Sequence, residues 1–256
     1  MPTQTTTAIV LRTVEFSETS LVVSLLTRDL GRVSCLAKGA RRLKGPFEGS
    51  LDLLSVCRVV VIQKPGDTLD LLTESKLRRR FRGGERSLHR TYAGYYVAEM
   101  LRLLIDDDDP HMELFDLTLA VLSQLDGTGP VVASLLVFDA QTLRHLGQAP
   151  TTRQCVGCGG AIDADRAPRR FSIDGGGVVC SACRSHQTGV IGISDGALAA
   201  LDRLLHEVPQ RDHAGTLSIQ SLLFDVPAAV TTELRRLLSQ YYQRILGRVP
   251  RMQSYV

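Results

Sequence analysis

The 256-residue chain contains no tryptophan, and its aromatic residues make up only 5% of the whole. Recognition that depends on many stacked rings is therefore not its main resource. Long apolar stretches are missing too. The longest near-apolar run, Val131 to Phe138, falls far short of the roughly 20 residues a membrane span needs. Met1 to Thr7 is polar and uncharged, with no basic segment or apolar run behind it, so no secretory leader is expected. A G-x-x-x-x-G-K-[ST] phosphate loop does not occur, which excludes nucleotide hydrolysis of that kind. No H-x-E stands with the cysteine pairs, which excludes a zinc deaminase. His89, His111, His145, His206 and His213 are scattered, and only His186 falls close to cysteines. The expectation is a non-enzyme in a reducing, cytoplasmic compartment.

What is present is sharper. Cys155-Val-Gly-Cys158 and Cys180-Ser-Ala-Cys183 are two CxxC turns in one short segment. Each can clasp one side of a tetrahedral ion, with sulfur at about 2.3 Å from zinc. Gly159 and Gly160 follow the first pair, where the backbone must turn back toward the thiolates. Arg169 to Ile173 and Val178 to Val179, hinged by Gly175-Gly176-Gly177, read as a hairpin that carries the second pair. Two disulfides or a dithiol redox centre are the alternatives. The reducing compartment disfavours the first, and the lack of strand–helix context disfavours the second. Four thiolates fill the coordination sphere, so a zinc ion here holds the fold and activates no water. Cys35 and Cys57 lie in β-patterned stretches and read as reduced core residues.

The net charge of +3 hides an asymmetry: residues 1–90 carry about +7 and residues 91–256 about −4. Two clusters account for much of the excess. The loop Lys38-Gly39-Ala40-Arg41-Arg42-Leu43-Lys44-Gly45 sets cations among glycines, so that backbone can approach a phosphate chain. The second cluster is Lys76-Leu77-Arg78-Arg79-Arg80-Phe81-Arg82. Each alone reads equally as a solvated face. Together, on one small barrel, they point to a groove for single-stranded nucleic acid, with Phe47 or Phe81 as the ring that stacks on a base.

The period of the sequence divides the chain. Residues 7–80 read as five strands: Ala8–Leu11, Ser20–Thr27, Arg32–Lys38, Leu51–Gln63 and Thr68–Leu77. Five strands on short turns predict a closed barrel of the OB type. From Ser87 the period becomes helical, with a stripe of Leu88, Tyr92, Tyr95, Tyr96, Met100, Leu103 and Leu104. Asp106 to Asp109 reads as a solvated acidic run that ends this helix. Further helices are expected over His111–Leu125, from Pro130 to Leu146, from Ser194 to about Glu207, and over Pro227–Leu246. The fold class is α+β: an OB-type barrel domain over 1–82, then an α-helical domain over 83–256 with a zinc hairpin inserted at about 150–190.

The Ala37-Lys38-Gly39-Ala40-Arg41-Arg42 loop, Glu18 to Thr27 before it and Asp67-Thr68-Leu69 after it occur in a recognisable order. Tyr95-Tyr96-Val97-Ala98-Glu99-Met100, Leu143-Arg144-His145-Leu146-Gly147 and Tyr241-Tyr242 continue it. In this order the chain resembles the RecO family of bacterial recombination mediators over nearly its whole length. The resemblance implies a cytoplasmic, nucleoid-associated, non-enzymatic protein that binds single- and double-stranded DNA and anneals complementary strands. With RecR as partner, it would help RecA displace single-strand-binding protein, whose C-terminal tail it would receive. Arg32, in the matching Gly31-Arg32 turn, joins Lys38, Arg41, Arg42, Lys44, Lys76, Arg78, Arg79, Arg80 and Arg82 as candidate DNA contacts. The other reading is a zinc-stabilised adaptor that binds proteins without touching DNA.

Overall fold

The computed structural model describes residues 2–42, 45–47, 49–66, 68–162 and 169–256. It divides into two compact units, Met1–Thr128 with Ser254–Val256, and Gly129–Gln253.

The first unit is built on β1 (Thr3–Glu15), β2 (Leu21–Thr27), β3 (Arg32–Ala37), β4 (Val56–Ile62) and β5 (Asp70–Arg79). They pair in the order β1-β2-β3-β5-β4, and β4 returns to β1, so the sheet closes into a barrel. Only β3 and β5 run parallel. This is the α+β, OB-type arrangement that the strand pattern predicts. Alternation sets the interior: Val33, Cys35 and Ala37 of β3 point inward with Val23, Leu25, Val59, Val61 and Leu72. Burial pushes the Cys35 thiol up to about 12, so this sulfur is a core side chain and not a nucleophile.

Three strand limits differ from expectation, each for a local reason. β1 is far longer than Ala8–Leu11, because its first half pairs with β4 and its second half with β2. A strand that serves two neighbours gains ladder bonds that its own polar residues do not advertise. β4 begins at Val56 and not at Leu51. Ser55 N–H returns to the Asp52 carbonyl at 3.0 Å and Leu54 adopts φ +64, so residues 51–55 turn while Leu51 and Leu54 stay buried. β5 reaches Arg79, which places Arg78 and Arg79, as well as Lys76, on the strand.

Three helices complete this unit: α1 (Gly83–Arg86), α2 (Leu88–Leu104) and α3 (Met112–Asp126). Ser87 caps α2, its hydroxyl accepting the Arg90 N–H at 3.3 Å. The buried face of α2 is Ala93, Tyr96, Val97, Met100 and Leu101, while Leu88 and Tyr95 are exposed, so the expected stripe is displaced. The reason is Gly94. Its bare backbone lets Leu54 and Phe81 approach so closely that a Cβ there would stand 2.6 Å from Leu54 Cδ1. Nor is the acidic run simply solvated. Asp107 pairs with Arg32 at 3.1 Å, and Asp108 N–H donates to the Arg32 carbonyl at 2.9 Å.

The second unit holds α4 (Val131–His145), the three-stranded sheet β6 (Arg169–Ser172), β7 (Gly177–Val179) and β8 (Val190–Ile193), and α5 (Asp195–His206). The two-stranded ribbon β9 (Gln210–Arg211) and β10 (Leu217–Ser218) precedes α6 (Ala228–Leu246). Ser194 caps α5 by accepting the Ala197 N–H, and α6 ends at Gly247 with φ +63. β8 adds to β6 a third strand that the expected hairpin did not include. In the core the Tyr242 hydroxyl donates to the Asp139 carbonyl at 2.7 Å.

Candidate nucleic-acid interface and metal centre

The basic loop leaves β3 and runs in the direction that β5 also takes, because the two strands are parallel. It is tied down on both sides. Ser75 N–H of β5 donates to the Pro46 carbonyl at 3.1 Å, and an Arg80 guanidinium N–H donates to the Gly49 carbonyl at 3.0 Å. On the other side Arg41 N–H donates to the Thr19 carbonyl, and its guanidinium meets Glu15 at 3.0 Å. The loop and the end of β5 thus lie along one another, as the sequence predicts. Lys44, together with Leu43 and Glu48, lies outside the described residues.

The candidate cations fall into two classes. Lys38, Arg42, Lys76 and Arg78 are exposed and make no ion pair among the described residues. Arg41 pairs with Glu15, Arg80 with Asp52 at 3.3 Å, Arg82 with Glu85 at 3.9 Å, and Arg79 with Asp126 at 4.0 Å. Pairs this exposed are worth little and exchange readily for phosphate. Arg32 differs: its side chain is mostly covered and is held by Asp107.

Beyond β5 the second cluster lines a cleft of about 960 Å³, walled by Leu77, Arg78, Arg79, Arg80, Arg82, Glu85, Arg86 and Asp126. Asp126 organises it. Its carboxylate accepts the Arg82 N–H at 2.7 Å, and its carbonyl accepts the Arg86 Nε–H at 2.6 Å. So much positive charge on concave walls concentrates potential and attracts a polyanion.

The sequence reading missed three residues here. Arg86 sits on α1, outside both charge runs. Arg58 of β4 stands directly opposite Lys76 of β5, both exposed. Like charges opposed across a ladder are destabilising unless an anion relieves them. Pairing register reveals that juxtaposition; residue spacing does not. The third is an aromatic. Phe47 is buried in the barrel core, which removes the first expected ring, and Phe81 is half-buried against Gly83 and Gly94. Phe16, at the β1–β2 tip, is 63% exposed.

The cysteines converge in the second unit. The sulfurs of Cys155, Cys158, Cys180 and Cys183 all lie within 4.8 Å of one another. A tetrahedral zinc–thiolate site requires sulfurs about 3.8 Å apart, and Cys158 and Cys180 stand at 3.9 Å. The first turn closes by Gly159 N–H to the Cys155 carbonyl and Cys155 N–H to the Gly160 carbonyl, both 2.8 Å, with Gly159 at φ +71. Backbone joins the two turns: Val156 N–H donates to the Val178 carbonyl at 3.0 Å, which lays the first CxxC along β7 and beside the second. Burial pushes the Cys155 thiol up, but N–H groups of Cys180, Gly157 and Cys158 outweigh it and hold it down at about 6. Hydrogen bonding to Cys180 and Cys158 pushes Cys183 up to about 12. Four converging sulfurs, one of them held by backbone N–H groups, suit a soft divalent ion. Cys35 and Cys57 stay apart in the barrel.

Comparison with known proteins fits this architecture. The family models "Recombination protein O N terminal" and "Recombination protein O C terminal" match residues 1–81 and 85–254. The chain belongs to the RecO family. It is 56% identical to the DNA repair protein RecO of Rhodopirellula baltica, over 97% of each chain. It is 34% identical to the protein of the same name from Anaeromyxobacter dehalogenans, over 94% of this chain and 91% of that one. Among the described residues no helix is long and apolar enough to cross a membrane.

Proposed function

We propose that this RecO-family protein is a DNA repair and recombination mediator and not an enzyme. It binds single- and double-stranded DNA, anneals complementary strands, and with RecR helps load RecA onto strands coated by single-strand-binding protein. Residues 1–82 form the DNA-binding module. Residues 83–256 serve protein partners, including the tail of single-strand-binding protein. Cys155, Cys158, Cys180 and Cys183 hold one structural zinc ion. The observation that carries the reading is that the β3–β4 loop is bonded through Pro46 and Gly49 to the end of β5, whose arginines line the cleft.

Annealing needs no ATP. Base pairing is downhill, and the obstacle is repulsion between two phosphate chains, which clustered cations screen by displacing condensed counterions. Lys38, Arg42, Lys76 and Arg78, without an ion pair among the described residues, and the weakly paired arginines near them suit such a task. They bind phosphate without fixing the strand's register, so complementary stretches can slide into alignment. The zinc cluster, its coordination complete, contributes rigidity and no chemistry.

The test is binding of a fluorescent single-stranded oligonucleotide by the full chain as salt is raised. Four phosphate contacts, by Lys38, Arg42, Lys76 and Arg78, give a slope of log K against log salt of about −3. No binding at all would support the adaptor reading, and binding that ignores salt would overturn the phosphate contacts.

A further inference from the structure

The tip of the β1–β2 hairpin leaves Phe16 63% exposed, with Val14 of the same tip 41% exposed. The tip is ordered: Phe16 N–H and Ser17 N–H both donate to the Ser20 carbonyl, at 3.0 and 3.3 Å. Single exposed apolar side chains are common on protein surfaces. What distinguishes Phe16 is its neighbour. The flanking residues Glu15 and Thr19 are the two that hold Arg41, through its guanidinium and its N–H, each at 3.0 Å. The hairpin tip is thereby joined to the start of the cationic loop, where Lys38 and Arg42 are exposed and without an ion pair among the described residues. An aromatic ring beside cations that follow a phosphate backbone is the arrangement that binds single strands, since the bases of a duplex are already stacked.

We propose that Phe16 is a base-stacking platform that gives the barrel its preference for single-stranded over duplex DNA. This rests on the reading that the basic loop holds DNA. The phosphates lie along Lys38 and Arg42, and one unpaired base lies on the Phe16 ring. The backbone bond from Arg41 N–H to the Thr19 carbonyl keeps the hairpin tip beside these cations even where Glu15 gives up the Arg41 side chain to phosphate.

The absence of tryptophan from the chain offers a direct probe. Phe16→Trp in the full-length protein carries the sole indole. Titration with an oligothymidylate of about 20 nucleotides is expected to quench its emission saturably, while a blunt duplex binds without quenching. Phe16→Ala is expected to weaken oligothymidylate binding about tenfold or more. Its salt slope and duplex affinity stay unchanged, because no charge is removed. Oligothymidylate that binds by anisotropy but leaves the indole unquenched would overturn the stacking role and leave DNA binding intact. Equal quenching by duplex would overturn it too. Loss of DNA binding in the unaltered protein would sink both this inference and the reading beneath it.

Discussion

A Cβ on Gly157 would stand 2.8 Å from Cys183 Cβ and 3.0 Å from its sulfur. The middle of the first CxxC turn is therefore packed against Cys183 of the second, and the four sulfurs meet because this residue has no side chain. Gly157→Ala is predicted to push Cys183 away from the other three. Zinc content measured by elemental analysis should fall below one per chain, and the second unit should melt earlier. Gly160→Ala, where a Cβ would meet the Cys158 sulfur at an ordinary 3.5 Å, is the contrast and should keep its metal.

Removing the metal is a separate test of the same centre. Structural zinc contributes on the order of 10 kcal/mol to folding in small sites. Cys155→Ser should lower the melting temperature and raise amide exchange over residues 150–190, with barrel amides unaffected. Equal protection of residues 150–190 with and without zinc would show that the sheet holds itself together.

The two classes of cation should separate in a salt titration. Neutralising Lys38, Arg42, Lys76 or Arg78 to Gln should each reduce the single-strand slope by about 0.7. Arg32→Gln should leave the slope alone and cost about 0.5–1 kcal/mol of stability, through the lost pair with Asp107. A full 0.7 lost on Arg32→Gln would return this residue to the DNA-binding set.

How far the sequence foretells these features depends on the range of the interactions that fix them. CxxC spacing and helix starts are local, so the four clustered cysteines and the helices that open at Ser87 and Ser194 are legible directly. Inward alternation on β3 is likewise visible in Val33, Cys35 and Ala37. The long first half of β1 is not, because Thr3 to Thr7 become strand only through pairing with β4. Charge runs are legible as clusters, but which members are free is decided by carboxylates distant in sequence: Asp107 for Arg32, Asp52 for Arg80, Asp126 for Arg79. Phe47 and Phe16 make the same point for aromatics. Both lie near basic residues in the chain or in space, and only the barrel interior separates the buried ring from the exposed one.

Gly94 gives a packing prediction for the first unit. A Cβ there would meet Leu54 Cδ1 at 2.6 Å and Phe81 ring carbons at 2.8 Å. Alanine has the better helix propensity, by about 1 kcal/mol, yet overpacking a core costs about 1–3 kcal/mol. Gly94→Ala should therefore be neutral to destabilising by up to about 2 kcal/mol in chemical denaturation. A more stable variant would mean that Phe81 yields easily and does not pin α2.

The last prediction concerns acid. Asp202 of α5 accepts the Thr152 hydroxyl at 2.6 Å and both Arg153 Nε–H and a terminal guanidinium N–H at 2.9 Å, so it anchors the chain just ahead of Cys155. The hydrogen bond from Arg153 lowers its pKa; burial opposes this, and the Thr152 hydroxyl adds to the lowering. A folded carboxyl held below its unfolded value of about 3.9 binds fewer protons in the native state. Its stabilisation is thus complete above pH 4 and lost as pH falls through the folded value. Asp202→Asn should therefore melt below the unaltered protein at pH 7, with the gap closing below pH 4. A metal held by the cysteine cluster would also be released in acid, as its thiolates protonate. That loss is common to both proteins, and the difference between their melting temperatures at each pH cancels it. A gap that stays constant from pH 7 to pH 3 would assign the effect to the shape of the side chain and not to its charge, and equal melting at pH 7 would show that the Arg153–Asp202 tie carries no stability.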